Sequence, residues 1–250
     1  MTNNNMIFVA NWKMHGNFYD ISKVKTVLNL IKNKKYKKIK IIYCPPFTLL
    51  KSFSNYFNNT KLNVGAQNCY YKSDYGPYTG NVNAKLIKSA GAKYIILGHS
   101  ENRNEGETDL LINQKIKSVL KEKLSIIFCI GETIGEKKKK ITFQVLKRQI
   151  SKGLKGIKNI NKIIIAYEPV WSIGSGIVPS RNELEKNIQN IKKILNQFKF
   201  KNSVKILYGG SVNSKNANEI SKIDGIGGLL VGGASLNSKK FVDIIKKTSN

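Results

Sequence analysis

Lys162-Ile163-Ile164-Ile165-Ala166-Tyr167-Glu168-Pro169 is an apolar run without polar alternation, ended by an acid and a proline. A strand with one wet face alternates, whereas a strand of a parallel sheet covered on both faces does not. Soon after it, Arg181–Gln197 carries apolar residues at three- and four-residue spacing, the stripe of a helix lying on such a sheet. The same pairing extends outward in both directions. Further strands are expected at Met6–Asn11, Ile39–Cys44, Lys61–Ala66, Lys93–Leu97, Ser125–Ile130, Ser203–Tyr208 and Gly228–Val231, and further helices at Ser22–Lys32, Asp109–Lys121, Thr142–Leu154 and Ser238–Lys247. Several of these helices open on Ser, Thr or Asn in capping positions. Eight strand–helix units in 250 residues leave about 31 residues each, which fits a closed (β/α)8 barrel, usually ~250 residues long. A doubly wound open sheet has the same count. No Pro/Gly-rich linker divides the chain, so a single domain over residues 1–250 is expected. The Lys137–Lys140 run reads as the solvated start of the fifth helix.

Composition narrows the function classes. No apolar run approaches the ~18–20 residues of a membrane span, so no membrane partner is expected. Met1–Asn5 is polar, with neither a basic region nor a long apolar one after it; no secretory signal is read, and a cytoplasmic location is expected. Cys44, Cys69 and Cys129 are far apart and odd in number, which suits reduced thiols better than a zinc site or a disulfide framework. The net charge of +28 is unusual and raises the possibility of a nucleic-acid partner. The basic residues run along the whole chain and are mostly Lys, the pattern of a chain-wide bias on solvated faces, so no specific nucleic-acid site is expected.

The residues that carry chemistry each follow a strand. In a barrel that places them together at the carboxyl ends of the strands, where barrel active sites lie. Asn11-Trp12-Lys13 follows the first strand; a Lys there suits an anion, or is simply a surface residue. Gly98-His99-Ser100-Glu101 follows the fourth. A helix start disfavours the imidazolium, so His99 is either a neutral hydrogen-bond donor to a carbonyl or a structural histidine. Glu168 ends the sixth strand, poised for proton abstraction, and the stretch after it holds Gly174 and Gly176 as a mobile lid would. The bland alternative is a capping Glu and an ordinary loop. Gly209-Gly210-Ser211 and Gly232-Gly233 follow the seventh and eighth strands, where backbone N–H groups can approach a phosphate. No metal-ligand cluster and no dinucleotide fingerprint appear, so no metal or cofactor is expected. The chemistry inferred is proton transfer beside a carbonyl in a small phosphorylated substrate.

These segments resemble one family, triosephosphate isomerase. Asn11–Met14, Gly65–Asn68, Gly98–Glu101, Cys129–Glu132, Ala166–Trp171 with Ile173–Gly176, Tyr208–Val212 and Val231–Leu236 follow its motifs in order and near its spacing. The resemblance implies an α/β fold, the (β/α)8 TIM barrel, and interconversion of glyceraldehyde 3-phosphate and dihydroxyacetone phosphate. It implies Glu168 as the base, His99 as the neutral electrophile and Lys13 as the positive charge beside the enediolate, a division of labour that is the family's established pattern. It further implies that Asn11 orients the phosphorylated triose, that Gly174, Ser211, Gly232 and Gly233 give N–H groups to its phosphate, that Glu101 holds Lys13, and that Cys129 packs behind Glu168. A lid from Pro169 to about Pro179 would close over the substrate. The family is typically a homodimer; Gln67–Gly80 resembles the loop that enters the neighbouring subunit, which would bring Thr79 near the partner subunit's Asn11.

Four departures stand against this pattern: His15 for the usual Asn, Asn102 for the usual Arg in a segment one residue short, Ile177-Val178-Pro179 at the second lid hinge, and a longer third loop. With Asn102 in place, Arg103 is the candidate for the family's ion pair with Glu107. The rival readings are a barrel isomerase or lyase for another sugar phosphate, and a basic nucleic-acid-binding protein.

Overall fold

The computed structural model describes residues 5–198 and 204–248. Its strands are β1 (Ile7–Asn11), β2 (Lys40–Cys44), β3 (Leu62–Ala66), β4 (Tyr94–Leu97), β5 (Ser125–Ile130), β6 (Ile163–Tyr167), β7 (Lys205–Tyr208) and β8 (Ile226–Val231). Each pairs in parallel with its chain neighbours, and β8 returns to β1, closing the barrel. The helices are α1 (Lys25–Lys32), α2 (Leu50–Tyr56), α3 (Ala84–Ser89), α4 (Ser100–Asn104), α5 (Asp109–Lys121), α6 (Ile134–Lys138), α7 (Thr142–Gly153), α8 (Arg181–Asn196), α9 (Ala217–Ser221) and α10 (Ser238–Thr248). The expected single (β/α)8 barrel is the fold observed, and the open sheet is excluded by the β1–β8 pairing.

Two separate apolar clusters explain the continuous runs. Successive strand side chains point to opposite faces. Ile164 and Ala166 of β6 join Ile42, Ile96, Ile127 and Leu207 in a cluster that fills the lumen. Ile163, Ile165 and Tyr167 of the same strand join a second cluster with helix residues such as Leu184, Ile188 and Ile191 of α8. Both faces are therefore dry.

Several helix starts follow from local chemistry. Thr108, Ser180 and Asn83 accept hydrogen bonds from the Leu111, Glu183 and Leu86 N–H groups at the starts of α5, α8 and α3. Thr133 and Glu136 form a reciprocal capping box at α6. This box corrects the reading of Lys137–Lys140: the run belongs to a separate short helix, ended by Lys140 in the left-handed region (φ 58°), and the next helix starts at Thr142. The helix expected from Ser22 also starts elsewhere. Asn17 caps a 3-10 stretch, Phe18–Val24, with Asp20 completing the box, and only then does α1 begin. In β8 the strand starts two residues before the expected Gly228, because a register shift lets the chain accommodate Gly227 opposite the Ile206–Leu207 step. Met1–Asn4 and Ser203, used in the sequence reading, lie outside the described residues. Among the described residues, no helix is long and apolar enough to cross a membrane.

Candidate active site

At the carboxyl end of the barrel a cavity of roughly 210 Å³ is lined by Asn11, Lys13, His99, Glu168, Gly174, Ser211, Gly232 and Gly233. All residues expected to touch substrate thus meet in one place. Glu101 and Cys129 do not line it; each touches a residue that does. A larger depression of roughly 430 Å³ lies at the opposite end of the barrel and contains none of them.

Lys13 sits in the left-handed region (φ 54°), an uncommon conformation for a non-glycine residue. The Asn11 Oδ1 accepts from the Lys13 N–H at 3.1 Å, and Gln67 Nε2 donates to the Lys13 carbonyl at 2.8 Å and to Cys44 O at 2.7 Å. Both peptide groups of the strained residue are thereby held. Lys13 Nζ lies 2.6 Å from Glu101 Oε1.

His99 caps α4. Its Nδ1 accepts from the Glu101 N–H at 3.3 Å, so the ring proton of a neutral imidazole belongs on Nε2. That Nε2 lies 3.4 Å from Glu168 Oε1. Glu168 is buried at 2% exposure, and its Oε2 has no hydrogen-bond partner. Burial pushes its carboxyl above the ordinary value of 4.5; His99, the Cys129 thiol and Lys13 pull the other way. A raised carboxyl pKa predicts that kcat/KM falls on the acid side, through a limb centred above pH 4.5, if Glu168 must be ionised. The same shift makes the protonated form the better-folded one. Its stability contribution is complete below pH 4.5 and is lost as pH rises through the folded-state value. A pH–rate profile with a limb at or below 4.5 would contradict the raised value.

Two glycines make room for Glu168, one for its backbone and one for its side chain. A Cβ on Gly131 would overlap the Glu168 carbonyl oxygen, and a Cβ on Gly209 would lie 2.7 Å from Glu168 Cγ. Gly209→Ala is expected to keep the fold and lower kcat by about 10- to 100-fold by displacing the side chain. Steady-state kinetics with circular dichroism checks this; unchanged kcat would mean the carboxylate has other room.

The lid is anchored by groups the sequence reading passed over. Ser172 is fully buried. Its Oγ donates to Ile177 O at 2.5 Å, accepts from the Ser211 N–H at 3.1 Å and meets Tyr208 OH at 3.1 Å. One hydroxyl proton suffices for one donation, so Tyr208 is the donor in its pair. Glu132, fully buried, accepts from Trp171 Nε1 at 2.8 Å and Tyr167 OH at 3.1 Å. Lys137 lies 3.4 Å from the Trp171 ring centroid and 2.7 Å from Glu183. Lys137 is thus half-buried against the lid stem and not simply solvated. An acid two residues past the apolar run of β5 was the available signal for Glu132; Ser172 had none beyond its place in the lid.

The expected Arg103–Glu107 pair does not form. Arg103 Nη1 pairs with Asp109 at 2.7 Å, while its Nε and Nη2 donate to Gly98 O and Cys129 O at 2.8 and 3.3 Å. Glu107 pairs instead with Lys115. The guanidinium fork thus braces the ends of β4 and β5, on either side of His99 and the Glu168 seat.

The sequence model of the family described as triosephosphate isomerase matches residues 6–248. The chain belongs to the triosephosphate isomerase family. A relative described as triosephosphate isomerase from Alkaliphilus oremlandii is 38% identical over 247 residues, covering 96% of this chain and 98% of the relative. One from Thermodesulfovibrio yellowstonii is 39% identical over 242 residues, covering 95% and 97%. The crystal structure of triosephosphate isomerase from Bartonella henselae superposes with a TM-score of 0.89 at 30% identity, covering 98% of this chain and all of that one. Membership of the triosephosphate isomerase family makes the chain an isomerase, and the cavity at the barrel mouth is where its chemistry is to be sought.

Proposed function

We propose that Glu168, His99 and Lys13 carry out the interconversion of glyceraldehyde 3-phosphate and dihydroxyacetone phosphate in this chain. The observation that carries this reading is the facing pair at the cavity floor, His99 Nε2 and Glu168 Oε1 at 3.4 Å, with His99 Nδ1 already occupied as an acceptor. A substrate carbonyl seated there meets an N–H donor on one side and a carboxylate on the other. Glu168 takes the proton from the carbon next to the carbonyl and returns it to the former carbonyl carbon, while His99 Nε2–H gives its proton to one oxygen and takes the hydroxyl proton of the other. His99 stabilises the oxygen on which negative charge develops, and the Lys13 ammonium adds positive charge beside it. Asn11 orients the triose. The N–H groups of Gly174, Gly232 and Gly233 hold the phosphate, the last two at the start of the 3-10 turn Gly233–Leu236, and the Ser211 N–H joins them by leaving Ser172 Oγ. Closure of the 169–179 segment removes water, and phosphate binding contributes to catalysis at the far end of the substrate. A coupled assay with glyceraldehyde 3-phosphate, following dihydroxyacetone phosphate, tests the reading. Conversion is expected; a folded protein that converts none would overturn it.

The same reading includes a homodimer through the Gln67–Gly80 loop, with Thr79 near the partner subunit's Asn11. Thr79 is exposed, as this requires. The loop is internally braced: the Tyr70 ring lies 4.6 Å from that of Tyr71 and 5.1 Å from that of Tyr78, and Lys72 sits 5.0 Å over Tyr78. Sedimentation equilibrium at twice the chain mass is the expected result, and a monomer at micromolar concentration would remove the dimer. A cytoplasmic location belongs to the reading as well, supported by three buried, unpaired thiols.

A further inference from the structure

We propose that the amino-terminal end of the barrel, opposite the catalytic mouth, binds a compact polyphosphate anion. The roughly 430 Å³ depression there is lined by Lys38, Lys40, Lys162 and Lys205, with Tyr94 and Ser125 on its wall. Lys40 of β2 and Lys205 of β7 lie on the inward phase of their strands, and Lys162, one residue before β6, continues that phase. Lys40, Lys162 and Lys205 each stand two residues before a lumen residue, Ile42, Ile164 and Leu207 respectively. All four are exposed, so a chain-wide Lys bias on solvated faces covers each of them singly; it does not set their meeting in one concavity. The four have no carboxylate within ion-pair distance among the described residues, and no Asp or Glu lines the depression. Lys40 Nζ rests instead 5.9 Å from the Tyr94 ring centroid.

Like charges gathered in one concavity repel one another and lower the cost of bringing in an anion. The shape selects its class. A concave site at the end of a barrel, of this volume and with four ammonium groups, receives a short chain of phosphates. A duplex, whose phosphates lie on a convex rod, needs a broad face. Lysines act here as point charges, so the contact is to phosphate and not to a particular base or sugar.

The probe is inorganic tripolyphosphate, titrated calorimetrically into the full chain with saturating triose phosphate in the catalytic cavity. One equivalent is expected to bind, more weakly as salt rises. ATP is expected to bind as tripolyphosphate does, and adenosine not at all. The triple variant K40Q/K162Q/K205Q is expected to lose at least about tenfold in affinity. The charge-matched control K25Q/K147Q/K246Q, taken from exposed helix positions, stays within about twofold because its charges are screened. Both variants keep isomerase activity and fold. Equal weakening in the two triples, multiple equivalents, or displacement of tripolyphosphate by short duplex DNA at matched phosphate would overturn the site and leave a diffuse charge effect. Absence of saturable binding would do so too.

Discussion

Glu168→Gln is expected to lower kcat by about 10²- to 10⁴-fold, the contribution of a positioned general base, while the protein stays folded. Glutamine keeps the shape of the side chain and removes the charge that burial disfavours. Because burial raises the Glu168 carboxyl, the neutral amide is expected to leave thermal stability at pH 7 unchanged or higher, the opposite sign to the activity. That pairing distinguishes a base from a structural carboxylate, whose loss would lower both. Glu168→Asp keeps the charge but draws it back by about one methylene, and a drop of about 10²-fold is expected from misplacement alone. Near-normal turnover in either variant would remove Glu168 from its role.

Lys115→Met is expected to cost about 3–5 kcal/mol of stability, the usual effect of stranding a buried charge. Lys115 and Glu107 pair at 7% and 9% exposure, and the second Glu107 oxygen is buried without a partner. Lys115 Nζ also donates to Asn68 Oδ1 at 3.0 Å, tying α5 to the root of the third loop. With the lysine gone, Glu107 has no compensating charge. Replacing both as Lys115→Met/Glu107→Leu removes the stranded charge and is expected to recover most of the loss, because a buried pair is often no better than an apolar one of similar size. Chemical denaturation of the two variants checks this. A single-variant loss below about 1 kcal/mol would show the pair to be solvated and worth what a surface pair is worth.

Strands were legible because the barrel dries both faces, so the apolar runs stood out against Lys-rich surroundings, and β5 has the boundaries expected for it. Legibility failed where glycine or a 3-10 turn took over. Gly227 and Gly228 hide the start of β8, and Asn17 with Asp20 starts a turn that carries no three–four apolar spacing of its own. The cavity residues were readable because all but Gly174 of the lid lie at or just past a strand end, where a polar or glycine residue breaks the apolar run. The supports behind them were not. Arg103 binds Asp109 and two carbonyls, and Ser172 gathers the lid through Ile177, Ser211 and Tyr208. Such partners are set by distance in space, and no local spacing reports them.

Closure of the sheet has a consequence for how the chain survives in a crowded solution. Segments such as Ile163-Ile164-Ile165-Ala166-Tyr167 and Ile126-Ile127-Phe128-Cys129-Ile130 are the kind that template cross-β aggregation when their backbone edges are free. In the folded barrel no edge exists, since β1 pairs with β8. The hazard is therefore confined to molecules whose ring has come apart, during folding or on heating, and in those molecules every chain carries a charge of +28. Mutual repulsion then keeps open rings from meeting edge to edge. Aggregation on heating is expected to be slow at low ionic strength and to accelerate with added salt, as screening lets the exposed strands approach.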